Sequence, residues 1–176
     1  MSTFVDQNEE YTKVIMSEQH IQRANEILST IRYATLATAS QDNKPWNNPV
    51  AHTFDQDMNL YWVSDRQNRH SCNVRANESI AIVIYDSTVP AGSEWGVYFE
   101  ATASELNDPD VIEQAISQVL RSAESVADLS NEANRRIYKA VLTSAWMNEA
   151  EYRDGKFYRD YRVELPLEEL RTALRR

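Results

Sequence analysis

Apolar residues recur every three or four positions at Ile21, Ala24, Ile27, Leu28 and Ile31, the period of a helix with one buried face. With Ser17 placed to cap it, the spacing predicts a helix from about Glu18 to Arg32. The period then shortens to that of strands. YATLATA at 33–39, PWNNPVAHTF at 45–54 and LYWVS at 60–64 are separated by the polar turns QDNKP and DQDMN. Connections this short leave no room for crossover helices, so an antiparallel meander is expected.

A short helix is expected from about Asn68 to Ala76, followed by SIAIVIYD at 79–86, a nearly continuous apolar run suited to a strand buried on both faces. WGVYFEATASEL supplies a fifth strand. Asp108-Pro109 is a strong helix start, because a capping carboxylate precedes a proline at the first helical position. The apolar positions from Val111 to Leu120 continue that helix, and Ala133, Ile137, Ala140 and Val141 suggest a second helical piece. Asp154-Gly155 between SAWMNEAEY and KFYRDYRVEL marks a two-residue hairpin. The final EELRTALRR is helix-compatible, its arginines reading as a solvated end. The expected architecture is mainly β with peripheral helices, in one domain over 1–176 with a helical insertion at about 109–141.

Composition narrows the function. The chain has 176 residues and a formal net charge of -9, which disfavours duplex nucleic acid or an anionic membrane as the main partner. No apolar run approaches the roughly 20 residues needed to span a bilayer, and the N-terminus lacks the order of a secretory signal, so a cytoplasmic protein is expected. A single cysteine and three histidines exclude a disulfide framework and make a metal cluster a poor expectation. With only three glycines, no G-x-G-x-x-G or Walker loop can be written, so a bound phosphate must be held mainly by side chains.

Against that acidic background, LYWVSDRQNRHSCNVRAN from Leu60 to Asn77 crowds Ser64, Arg66, Asn68, Arg69, His70, Ser71, Asn73 and Arg75 into twelve positions. Cations clustered at the exit of a stiff strand point to an anion held there. The bland alternative is an exposed helix face whose cations pair with nearby acids. Cys72 reads as a small residue packed inward.

Taken in order, the helix running into YATLATAS, the strand NNPVAHTF, LYWVSDRQNRHSCNVRAN, SIAIVIYD and GVYFEATASEL resemble the pyridoxamine 5'-phosphate oxidase family, whose members have the FMN-binding split β-barrel fold. The resemblance covers Ile27 to Leu106. It implies a homodimer with FMN at the subunit interface and hydride or electron transfer through the flavin. Asn48, Pro49, Val50, Ala51 and His52 match the strand edge that runs along the flavin ring. Val63 and Ser64 match the strand end near the ribityl chain and phosphate, and Arg69 and His70 match the Arg-Lys pair that grips the phosphate. His70 replaces the usual lysine, so FMN affinity is expected to fall as pH rises through the bound-state pKa of that histidine. His52 reads equally well as a half-buried structural residue, its backbone being the better candidate for a flavin contact.

The resemblance does not extend to an arginine-bearing C-terminal ending of the kind true vitamin B6 oxidases use for substrate. The leading expectation is therefore an FMN-dependent oxidoreductase acting on an unidentified small-molecule substrate or nicotinamide donor, with no catalytic side chain assigned. Two alternatives stay open: a flavin-binding store or sensor without turnover, and a split barrel that binds haem or a deazaflavin.

Overall fold

The computed structural model describes residues 3–90, 92, 95–120, 126–129 and 134–175, with backbone alone for 3–16, 118–120 and 126. Helix α1 (Thr3–Thr30) leads into β1 (Tyr33–Ala39), β2 (Pro45–Ala51), β3 (Thr53–Phe54) and β4 (Leu60–Asp65). Helix α2 (Arg69–Ala76) precedes β5 (Ser79–Tyr85) and β6 (Gly96–Glu105). Helix α3 (Pro109–Gln114) runs on as a π-helical stretch, Ala115–Leu120, before α4 (Val126–Leu129), β7 (Arg135–Arg153), β8 (Lys156–Glu164) and α5 (Leu167–Leu174). Among the described residues, no helix is long and apolar enough to cross a membrane.

All strands join one antiparallel sheet in the order β2-β1-β5-β6-β7-β4-β3, with β8 beside the second half of β7. The expected meander is thus corrected. β2 and β3 lie at opposite ends of that order, yet only His52 separates them in the chain. There the backbone leaves β1, the His52 N–H donating to the Arg32 carbonyl at 3.3 Å, and the next hairpin pairs with β7 instead. The single-residue break joins the two sheet edges, which rolls the sheet into a split barrel. Turn signals fixed the hairpins but carried no information about which edge the second hairpin would find.

Inside the barrel, Leu36, Ile82, Ile84, Val97 and Phe99 alternate with outward-facing neighbours, as strands covered by core on one face require. Trp62 and Tyr138, cross-strand partners on β4 and β7, stack with ring centroids 5.3 Å apart and are fully buried. Truncating either to alanine would cost about 3 to 5 kcal/mol by the usual cavity arithmetic. Helix α1 packs on this core through Ala24 and Leu28 and meets α5 through its Leu170 side.

Two helix expectations change. α1 begins at Thr3, so Ser17 is an interior residue and not its cap; no proline or glycine interrupts residues 3–30. Ile137, Ala140 and Val141 belong to β7, so the helical part of the insertion ends at Leu129 and not near residue 141. Ala133 lies outside the described residues. The cause is two-sided burial: Tyr138 and Ala140 face the barrel core, while Ile137 faces the outer cluster of Tyr61, Ile112, Ala115 and Leu129. A strand covered on both faces loses its period of two, and the remaining apolar spacing imitates a helix. The cap at Asp108 forms as expected, its carboxylate accepting from the Asp110 N–H at 2.9 Å with Pro109 opening the helix. The Asp154-Gly155 turn also forms, both residues having positive φ (51° and 72°), the conformation that a tight hairpin needs.

Candidate cofactor-binding site

Strand β2 pairs with β1 on one side and ends the sheet order on the other, so its outer backbone edge is turned away from the sheet. Pro49, which has no N–H to give, suits such an edge. Asn48 is half-buried and donates from Nδ2 to the Pro49 carbonyl at 2.8 Å; Pro49 and Ala51 are exposed, and Val50 is buried in the core. His52 stands at the break with its ring edge-on to Phe54, centroids 5.2 Å apart. Its Nδ1 is buried and finds no hydrogen-bond partner among the described residues. Burial holds its pKa below the ordinary histidine value, the Arg32 backbone contact opposing that only in part.

The corner from β4 to α2 is tied together by side chains. Ser64, buried at the end of β4 beside half-buried Val63, receives a hydrogen bond from Asn68 Nδ2 at 2.9 Å. The Ser64 hydroxyl also lies 2.8 Å from His70 Nε2. Because Asn68 is turned toward Ser64, the side chain at the head of α2 makes no capping bond, and the first turn carries no acid. Its first-turn N–H groups have no acceptor within the helix, which leaves a partial positive charge beside Arg69. Arg69 is exposed, and its guanidinium lies over the Trp46 ring of β2 at 4.5 Å from the centroid. Further along α2, buried Asn73 donates to Thr38 on β1 at 3.0 Å, fixing the helix against the β1–β2 hairpin.

In this corner His70 is packed inward instead of lying open on the helix surface. The ring is 2% exposed, and burial without an acidic neighbour pushes its pKa down. Burial favours the neutral ring, and its Nε2–H tautomer donates to Ser64, which then keeps its own proton for a further acceptor. Arg69 is the charged member of the pair. Cys72 is corrected: it is exposed, while Ser71 is fully buried, because the inward face of α2 falls on His70, Ser71, Asn73 and Val74.

The remaining arginines of the basic segment turn elsewhere. Arg66 Nε and Arg75 Nη1 each donate to Glu105 at 3.1 Å, and Arg136 Nε lies 3.4 Å from the same carboxylate. Tyr138 Oη donates to it at 3.1 Å. Glu105 is 4% exposed and Arg136 2%, so these groups form a buried charged network rather than a ligand cradle. The eight polar residues crowded in sequence therefore divide between the end of β4, the turn and two faces of α2.

A feature that the sequence reading did not single out lies on the outer face of the sheet. Thr35, Ala37, Ala81 and Val83 line a groove of about 480 Å³ together with Tyr98, Trp146 and Arg162. Arg162 of β8 stands 4.1 Å from the centre of the Tyr98 ring. The signal was the unbroken apolar run of β5. Ile80, Ile82 and Ile84 fill the barrel, whereas Ala81 and Tyr85 face outward and are exposed, with Val83 between them half-covered.

The pyridoxamine 5'-phosphate oxidase family model matches residues 21–149. No curated protein sequence matches the chain. Among solved structures, a haem-binding protein from Mycobacterium smegmatis is similar with a TM-score of 0.62 at 14% identity, over 86% of this chain and 60% of that one. The chain thus spans about three fifths of that protein's length. HutZ, the haem storage protein from Vibrio cholerae, gives a TM-score of 0.55 at 18% identity, over 69% of this chain and 88% of its own. General Stress Protein 26 from Bacillus anthracis gives 0.51 at 18% identity, over 80% of this chain and 98% of its own. At such identities the likenesses establish the fold, and the family model, matching well over half the chain, establishes the descent: this split barrel belongs to the pyridoxamine 5'-phosphate oxidase family.

Proposed function

We propose that the chain binds FMN as a homodimer and serves an oxidoreductase reaction between a small-molecule substrate or nicotinamide donor and an acceptor. The observation that carries this reading is the head of α2: an uncapped first turn, free of acids, with the Arg69 guanidinium beside it and the Ser64 hydroxyl at the adjoining strand end. These are the groups that a phosphate monoester requires, and charge-assisted hydrogen bonds of about 1.5 to 3 kcal/mol each suffice to anchor it. Arg69 holds the phosphate, Ser64 and the backbone at Val63 lie along the ribityl chain, and the outer edge of β2 from Asn48 to His52 offers backbone groups to the ring. His70 positions Ser64. The flavin, when bound, supplies the hydride and electron chemistry, and the protein supplies binding and orientation.

The dimer reading is supported by the outer sheet face. Ala37 and Ala81 are exposed beside half-covered Thr35, Val83 and Tyr98, whereas strands apolar on both sides are normally covered on both. A second copy supplies that cover and places the flavin between subunits.

Haem is the second reading, favoured by the haem-binding proteins among the structural relatives. Two of the three histidines weigh against it: His20 is buried and bonded to Glu149 at 2.8 Å, and His70 is buried against Ser64. That leaves His52, whose Nδ1 has no partner among the described residues, as the remaining imidazole for an iron.

The deciding experiment is the visible spectrum of the purified protein, with heat release and identification of any ligand, then anaerobic addition of NADH or NADPH. Flavin absorbance bleached by a donor supports the oxidoreductase. Flavin that no donor reduces points to a store or sensor, and a haem or deazaflavin spectrum replaces the FMN assignment.

A further inference from the structure

A cleft larger than the outer groove stands apart from this site. A cavity of about 960 Å³, against 480 Å³ for the outer groove, lies between α1, the β3–β4 turn, α3 and the end of α5. None of the residues from Asn48 to His52, nor Val63, Ser64, Arg69 or His70, lines it.

Its charged groups are, with one exception, already committed. Asp55 accepts from the N–H groups of Asp57 and Asn59 with Oδ1, at 2.9 and 2.8 Å. Its Oδ2 accepts from Asn59 Nδ2 at 2.8 Å and from the Tyr61 phenol at 3.1 Å. Burial and the Asp55 charge push the Tyr61 pKa far up, so this phenol stays a donor. The Asp57 carboxylate is paired with Arg175 Nη2 at 2.9 Å, and Arg175 Nε donates to the Gln56 carbonyl at 2.7 Å.

The exception is Lys139. It is the cross-strand partner of Tyr61, is half-buried, and makes no hydrogen bond or ion pair among the described residues. Its ammonium lies 5.7 Å from the centroid of the Tyr61 ring. An ammonium that has lost part of its hydration without gaining a counterion is stabilised by an anion brought to it. Leu28, Phe54, Met58, Val111 and Leu174 make the apolar walls.

We propose that this cleft is a second ligand site, taking a small amphipathic organic anion whose acidic head pairs with Lys139 and whose apolar body lies against those walls. Asp55, Asp57, Lys139 and Arg175 are the charged groups around it and sum to zero, so specificity for an anion rests on Lys139, the only one of the four without a partner. The volume falls within the range of small-molecule sites, roughly 300 to 1,000 Å³. The site stands apart from the flavin reading and does not depend on it.

The test is a fluorescence titration of the full chain with anilinonaphthalene sulfonate, an aromatic sulfonate of this class. Saturable binding of one probe per chain is expected, weakened tenfold or more by Lys139→Gln and restored by Lys139→Arg. Val111→Trp, at an exposed helix position on the cleft wall, narrows the cavity without touching the barrel core and is expected to weaken binding as well, which keeps the test intact if Lys139→Gln does not fold. Arg69→Ala is expected to leave probe affinity unchanged. No saturable binding to the wild type, or wild-type affinity in both Lys139→Gln and Val111→Trp, overturns the proposal, as does a loss of binding in Arg69→Ala equal to that in Lys139→Gln.

Discussion

The His70 imidazole lies 2.8 Å from the Ser64 hydroxyl, a buried bond that locks the end of β4 to the first turn of α2. Burial holds the folded pKa of His70 below the unfolded value of about 6.5, and the same holds for His52. A depressed folded pKa stabilises the protein above the unfolded value, and that stability is lost as pH falls through the lower, folded value. Melting temperature is therefore expected to be level from pH 8 to 7 and to drop toward pH 5, with a shallower drop in His70→Gln. Identical acid profiles for the two proteins would remove His70 from the account. With burial pushing the His70 pKa down, FMN affinity is expected to be flat over pH 7 to 9, where a cationic histidine would make it fall.

Arg69 is exposed, with its guanidinium over the Trp46 ring and its charge felt by Asp42, so its removal tests binding with little effect on folding. Arg69→Ala is expected to weaken FMN binding by roughly 10- to 100-fold, about 1.4 to 2.8 kcal/mol, with a melting temperature close to that of the wild type. Flavin fluorescence quenching measures the affinity. Unchanged affinity in the folded variant would move the phosphate away from α2.

Glu105 has the opposite character. Three arginines and a tyrosine converge on its buried carboxylate, and Arg136 has 2% of its side chain exposed. Removing the carboxylate leaves a buried guanidinium without its counter-charge, so Glu105→Ala is expected to cost about 3 to 5 kcal/mol in urea unfolding. A loss below about 1 kcal/mol would show that Arg136 finds other compensation or reaches water.

Much of this was legible locally. The limits of β1, β4, α2 and β5 follow from apolar runs and the turn residues that bound them, within a position or two. The sequence did not reveal which sheet edge the β3–β4 hairpin would join, since the break at His52 is a single ordinary residue. Nor did it reveal β7 at Ile137, whose burial beneath the helices hides the strand period. Within the site, the burial of His70 was not legible: residue type gives a charge in water, and burial shifts the balance against it.

Ala37 supplies the remaining test, of the dimer. Its side chain is exposed on the outer face of β1, with Asn47 on β2 and Ala81 on β5 as cross-strand neighbours, and no acid stands beside it in either register. In a single chain, Ala37→Glu places a carboxylate in water and costs little. In a dimer that covers this face, the same carboxylate is buried without a partner, and a cost of several kcal/mol is expected. The variant is accordingly expected to keep its circular dichroism spectrum while its dimer dissociation constant rises at least 100-fold, close to 3 kcal/mol. Light scattering on a size-exclusion column reads the outcome. A variant that stays dimeric would place the subunit contact on another face, and a wild type that is monomeric at high micromolar concentration would leave the outer groove open to solvent and the flavin without its second subunit.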